Sequence, residues 1–248
     1  MNLILLEARE VSESHHATIA DARARHLLNV LHVIPGQTVR VGLLDGPLGE
    51  GTVESAGDGR VTMRCVFEPE RPCRPRIDVL LALPRPKVMR RLWAQLAALG
   101  VGRIILTNAE RVERQYFDTH VVTEPVYRPL LLEGLQQARD TRLPLVSIHR
   151  QFKILVEDQL DSLFAAGRRL VADPSGTTPL ASALAYGQIE RVLIAIGPEG
   201  GWNGFELALL GAHRFEVVGL GPRTLRVDTA CVALLSIAHA VIREGRSG

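Results

Sequence analysis

Cysteine is scarce: the 248 residues hold Cys65, Cys73 and Cys231 and no others. The three are scattered, odd in number, and form no CxxC or paired Cys/His spacing. That excludes a disulfide framework, argues against structural zinc, and leaves no expected metal site. A reducing, cytoplasmic compartment fits such usage. Aromatic residues make up only 4%, too few for a binder built on rows of base-stacking platforms. Long apolar runs are missing as well. Leu3-Ile4-Leu5-Leu6 is too short for a signal-peptide core. Residues 230–242, the most apolar late stretch, are interrupted by Ser236 and His239 and fall short of a membrane span. No membrane association is expected. Two phosphate motifs are also absent. There is no GxxxxGK[ST], and no GxGxxG opens the first helix of the α/β portion, so neither a P-loop nor a Rossmann dinucleotide site is supported.

What is present is an ordinary globular composition, 46% hydrophobic and 23% charged, in a chain long enough for one or two domains with a substantial core. The net charge is +2 but unevenly spread. Residues 1–72 carry 7 basic and 10 acidic side chains, and residues 73–248 carry 22 and 17. Between Arg71 and Arg91 the basic residues are Arg71, Arg74, Arg76, Arg85, Lys87, Arg90 and Arg91, against Asp78 alone. Such a cluster suits a polyanionic partner; the plainer alternative is a solvated basic helix start.

The hydrophobic rhythm divides the chain near residue 72. Before it, strands are expected over residues 38–44, 51–55 and 60–67, with a hairpin turn at Asp58-Gly59 and one short helix over residues 22–31. Several short strands around a small core suggest a barrel. Residues 68–76, rich in proline and arginine, read as a linker. After it, strands are expected over residues 77–83, 103–106, 145–148, 169–172, 191–196 and 215–218. They alternate with helices over residues 88–99, 124–139, 154–165, 204–210 and 228–243, with Asn203 as a helix cap. That alternation implies a parallel α/β sheet, and the continuous apolar run over residues 77–83 suits a strand buried on both faces.

Two glycine-rich loops follow late strands: Gly197-Pro198-Glu199-Gly200-Gly201 and Gly219-Leu220-Gly221-Pro222-Arg223. Ligands of open α/β sheets bind beyond the carboxyl ends of strands, and glycine lets backbone amides approach a ligand closely. A side chain at Gly200 is expected to fill the space where ligand meets backbone. The second loop continues as Thr224-Leu225-Arg226-Val227-Asp228-Thr229-Ala230, which places an arginine and a carboxylate at the start of the last helix. Asp228 also reads as that helix's N-cap.

These two loops resemble those of the bacterial 16S rRNA uridine-N3 methyltransferases, a family of the SPOUT class. The resemblance continues along the chain in order: His26, Val30, Leu31 and Pro35-Gly36, then Lys87 and Leu99-Gly100-Val101, then Glu133, Gln137 and Pro144. The chain departs from the family's pattern at His32, Ala98, Asp140 and Asp228. The resemblance implies an α/β protein with a small PUA-like β-barrel over residues 1–72, which helps bind RNA. A SPOUT methyltransferase domain with a trefoil knot would occupy residues 73–248. It implies S-adenosyl-L-methionine as cofactor, held by Ile196, Gly197, Pro198, Glu199, Gly200 and Gly201 of the first loop. Leu220, Gly221, Leu225, Arg226, Val227, Thr229 and Ala230 would hold it from the second. It implies RNA contacts by His26, Arg85, Lys87, Arg90, Arg91 and Arg111, and as partners the 16S rRNA of the small ribosomal subunit and a second copy of the chain in a homodimer.

Uridine N3 is a poor nucleophile until it loses its proton, so transfer to it needs a base near N3 or a cation to stabilise charge on the flanking carbonyl oxygens. Arg226 suits the stabilising role. Asp228 is a candidate proton acceptor with a competing role as helix cap, and Glu199 is a third candidate. Two other readings stand beside this one: another SPOUT RNA methyltransferase, for example one acting on tRNA, and a non-catalytic RNA-binding protein of SPOUT-like fold.

Overall fold

A computed structural model describes residues 3–185 and 189–244 of the chain. The chain divides into two compact units, Met1–Arg74 with Leu132–Leu143, and Pro75–Leu131 with Pro144–Gly248.

The first unit holds β1 (Ile4–Leu6), β2 (His16–Ile19), α1 (Ala22–Asn29), β3 (Thr38–Leu43), β4 (Leu48–Gly57) and β5 (Arg60–Phe67). They form one mixed sheet in the order β1-β3-β4-β5-β2, with β1 parallel to β3 and the other pairs antiparallel. The β4–β5 hairpin turns through Asp58 at φ 49° and Gly59 at φ 72°, the left-handed pair that Asp-Gly supplies with little strain. Alternating residues of these strands, with Ala24 and Leu27 of α1, build a core that includes Leu6, Ile19, Val41, Val53, Val61 and Met63. α1 is capped by Asp21, whose carboxylate accepts from Arg23 N at 2.8 Å. It ends at Asn29, two residues before the expected end, and the chain turns through His32 at φ 50°. Residues 140–142 are bonded to the β3–β4 turn. Thr141 Oγ1 donates to Gly46 O at 2.6 Å and Asp45 N donates to Thr141 O at 2.7 Å. Arg142 Nη1 donates to Asp45 O at 2.9 Å. Asp140, where the family pattern has arginine, bends the chain for these contacts by accepting from Thr141 N and Arg142 N at 2.6 and 3.0 Å.

The second unit is built on β6 (Ile77–Ala82), α2 (Pro86–Ala98), β7 (Val101–Thr107), α3 (Glu124–Ala138, whose later residues count with the first unit) and β8 (Leu145–His149). Short helical pieces follow, α4 (Phe152–Ile154) and α5 (Leu160–Leu163), then β9 (Arg168–Ala172), α6 (Leu180–Leu184), β10 (Val192–Ile196), α7 (Gly204–Ala212), β11 (Phe215–Val218) and α8 (Val227–Glu244). All six strands are parallel, in the order β11-β9-β10-β6-β7-β8. β6 and β10 are buried at every residue, as their continuous apolar runs require. No helix among the described residues is long and apolar enough to cross a membrane.

Two expectations need correcting. The helix expected over residues 154–165 is three pieces, because Leu155–Gln159 widens into a π turn in which Leu160 N donates to Leu155 O. The widening lets Leu155, Val156 and Leu160 all be buried while Gln159 Oε1 meets His149 Nδ1 at 2.8 Å. The last helix begins at Val227, so Asp228 lies inside its first turn. The carbonyl that accepts its first bond, from Ala230 N at 2.8 Å, belongs to Arg226. Asp228 is therefore not the N-cap.

Candidate active site

β11, β9 and β10 are neighbours in the sheet, so their carboxyl ends lie side by side. The loops that leave them enclose a cavity of about 320 Å³. Ala172, Asp173 and Pro174 line it after β9, and Ile196 through Trp202 line it after β10. Val218, Leu220, Gly221 and residues 223–225 line it after β11, and Val227 and Ala230 of α8 complete the wall. The β9 and β11 loops touch backbone to backbone. A Cβ on Gly219 would fall 2.2 Å from Gly176 O, and one on Gly176 would fall 2.4 Å from the Val218 carbonyl carbon. Only glycine fits at either position. Gly221, at φ 95°, turns the chain where an L side chain would be strained.

The wall is mixed in character. Ile196, Val218, Leu220, Leu225 and Val227 are apolar. The Asp173 carboxylate stands at the end of β9, with Oδ1 accepting from Ser175 N at 2.9 Å and Ser175 Oγ at 2.6 Å. Trp202 is 5% exposed, packs on Phe152 with ring centroids 5.4 Å apart, and its Nε1 has no hydrogen-bond partner among the described residues. That nitrogen is covered by the Gly197 backbone, where a Cβ would fall 3.1 Å from it, so Trp202 packs under the first glycine loop.

Three arginines outside the cavity are bonded to its loops or to the first turn of α8. Glu199 Oε1 accepts from the backbone N of Arg85 at 3.1 Å. Arg91 Nη2 meets Asp228 Oδ2 at 2.8 Å. Arg111 Nη1 donates to the carbonyl of Gly200. Burial pushes the Cys231 thiol, in α8 next to the cavity wall, up to about 12, so it is no thiolate nucleophile near neutrality. Among the described residues no group of three or more His, Cys, Asp or Glu is placed to hold a metal ion.

Residues 70–239 match the model of the RNA methyltransferase domain family. Ribosomal RNA small subunit methyltransferase E of Treponema pallidum is 30% identical over 98% of this chain and 94% of its own length. This chain belongs to that methyltransferase family. A second member, ribosomal RNA small subunit methyltransferase E 1 of Borreliella burgdorferi, is 25% identical over 94% of this chain and 95% of its own length. The fold is shared with the crystal structure of a ribosomal RNA small subunit methyltransferase E from Neisseria gonorrhoeae, which is bound to S-adenosyl methionine. That structure has a TM-score of 0.79 at 19% identity and covers 97% of this chain and 98% of its own.

Within this methyltransferase frame, the cavity brings together Ile196, Gly197, Pro198, Glu199, Gly200, Gly201, Leu220, Gly221, Leu225, Val227 and Ala230, all expected at a cofactor site. Arg226 and Thr229 are exposed and do not line it. Of the expected RNA contacts, Arg85, Lys87 and Arg90 are exposed, Arg85 being bonded to Glu199 through its backbone N alone, while the side chains of Arg91 and Arg111 are bonded to Asp228 of α8 and to the first glycine loop. His26 lies on α1 of the first unit, half-buried. One expectation fails on geometry: a Cβ at Gly200 points at the Arg111 side chain, 2.8 Å from its Cδ, and not into the cavity. Sequence reasoning missed Asp173 and Trp202. The signals were a third strand-to-loop turn, Asp173-Pro174-Ser175-Gly176, and one of only two tryptophans directly after Gly200-Gly201.

Proposed function

We propose that the protein methylates N3 of a uridine in the 16S rRNA of the small ribosomal subunit, with S-adenosyl-L-methionine as methyl donor. The observation that carries this reading is the cavity at the ends of β9, β10 and β11, closed by both glycine loops in a chain that matches its methyltransferase relatives from end to end. The donor's chemistry suits the wall. Asp173 suits ribose hydroxyls, and the amides of the first glycine loop that are not used within its own turn, with Leu220 and Leu225, suit an adenine edge and face. When bound, the donor supplies an electrophilic methyl group.

The chain's own groups do the rest. Arg226, exposed beside the cavity-lining Leu225 and Val227, hydrogen-bonds the uracil oxygens as charge builds on deprotonation. Asp228 takes the N3 proton once it is released from Arg91, and Glu199 is the alternative acceptor. Lys87 and Arg90 bind phosphates, with His26 and the strand-rich first unit, read as a PUA-like barrel, adding RNA contacts. The trefoil knot in the α/β unit and the homodimer complete the reading by resemblance, and a cytoplasmic location fits the sparse, unpaired cysteines.

The test is mass mapping of rRNA after incubating small subunits from cells lacking this gene with the protein and donor. One added methyl on a 16S uridine, at N3, is expected. Methylation of tRNA instead, or none, overturns the proposal.

A further inference from the structure

Arg111 reads in the sequence as one more basic RNA contact, yet its exposed guanidinium donates within the chain. It lies in the loop after β7, and that loop is fixed by a buried carboxylate. Glu206, in the first turn of α7, is 3% exposed. Its Oε1 accepts from Glu110 N at 2.7 Å and its Oε2 from Asn203 N at 2.8 Å, while Asn203 Oδ1 accepts from Glu206 N at 2.8 Å. Both carboxylate oxygens are thus spent on backbone amides, which offsets their burial. One amide belongs to the residue just before Arg111; the other belongs to the residue that follows Gly201-Trp202. Arg111 Nη1 then donates to the Gly200 carbonyl.

We propose that Arg111 is a positioning residue for the glycine loop after β10, and that Arg111 and Glu206 together clamp that loop in its ligand-binding form. The proposal rests on the reading of the cavity as an S-adenosylmethionine site. Holding the Gly200 carbonyl fixes the plane of the Gly200–Gly201 peptide. The Gly201 N–H is then aimed at Pro198 O, 2.8 Å away, and the turn is closed. Glycines on both sides of that peptide leave it otherwise free to rotate. The absence of a side chain at Gly200 makes room for Arg111, since a Cβ there would press on its stem. A loop that must be ordered on binding loses affinity to that ordering; one held beforehand does not.

The test compares Arg111→Ala and Arg111→Lys with the parent, by calorimetry with S-adenosylmethionine and by RNA binding across a salt series. Arg111→Ala is expected to weaken cofactor binding about tenfold, the loss of one charge-assisted hydrogen bond. KM for the cofactor should rise with kcat within a few-fold at saturation, and the RNA salt slope should stay at the parent value. Arg111→Lys, still able to donate to the same carbonyl, should recover most of the affinity. Thermal midpoints of both variants near the parent's exclude simple unfolding. Unchanged cofactor affinity with a salt slope shallower by about one phosphate contact would overturn the proposal and return Arg111 to the RNA surface. A parent protein that binds no S-adenosylmethionine would instead overturn the cavity reading itself.

Discussion

Arg226 and Asp228 are two residues apart at the start of α8, and the structure gives them different tasks. Arg226 contributes its backbone carbonyl to the first helical bond, while its side chain is exposed. Truncating that side chain therefore leaves the helix start intact. Arg226→Ala is expected to lower the single-turnover methylation rate by about 10²–10³, the usual effect of removing one preorganised donor, with cofactor affinity within a few-fold. A parental rate would move the stabilising role elsewhere. Asp228 is tied to Arg91 at 2.8 Å, with the Arg91 side chain 58% exposed. An exposed ion pair of this kind contributes little to stability, so an RNA phosphate can compete for Arg91 and release the carboxylate. If Asp228 is the base, Asp228→Asn lowers the rate, whereas Arg91→Gln leaves the rate at saturating RNA within a few-fold. Equal losses in both variants would assign the pair a structural role. Much of this site could be read from residues in order, because the glycine loops are local in sequence. Asp173, Trp202 and Glu206 were hidden because their meaning depends on three separate loops meeting.

At the scale of elements, α2 shows how one helix serves two surfaces. Pro86 opens it, and Met89, Leu92, Trp93 and Leu96 are buried along one side, with Trp93 Nε1 donating to Val121 O at 2.9 Å. Lys87 and Arg90 face outward. Replacing both with alanine should leave folding and cofactor binding unchanged and make the salt dependence of RNA binding shallower by about one to two phosphate contacts. An unchanged slope would make this face a solvated surface only. The central strands β6 and β10 were legible because a strand buried on both faces must be apolar throughout. β1, β2 and α6 were not, since they lack the continuous apolar run of the central strands and are held by their neighbours. The break in the 154–165 helix was illegible for a related reason: the widened turn goes with the pairing of Gln159 and His149, ten residues earlier, which no local pattern announces.

At the scale of the whole molecule, the open question is the second copy. The sequence of α8 offers Val232, Leu235, Ile237, Ala238 and Val241 as apolar surface beyond one covering face. The structure buries Leu235 and Ala238 fully within the chain, along with Cys231 and Leu234, and leaves Val232 at 39% exposure. The apolar excess is therefore only partly used inside the protein, with Ile237 and Val241 half-buried. What remains on the outer side is Thr229, Val232, Ser236 and Ala240, spaced three to four residues apart and so on one face of the helix. Small side chains there would let another surface approach closely. The homodimer implied by the family resemblance thus has a specific prediction: Val232 sits at the interface. Light scattering at micromolar concentration should give a dimer mass for the parent. Val232→Glu, which would bury a charge against the partner, should give a monomer that keeps its thermal midpoint within a few degrees. A parent that is already monomeric would remove the dimer. A variant that stays dimeric would move the interface off α8.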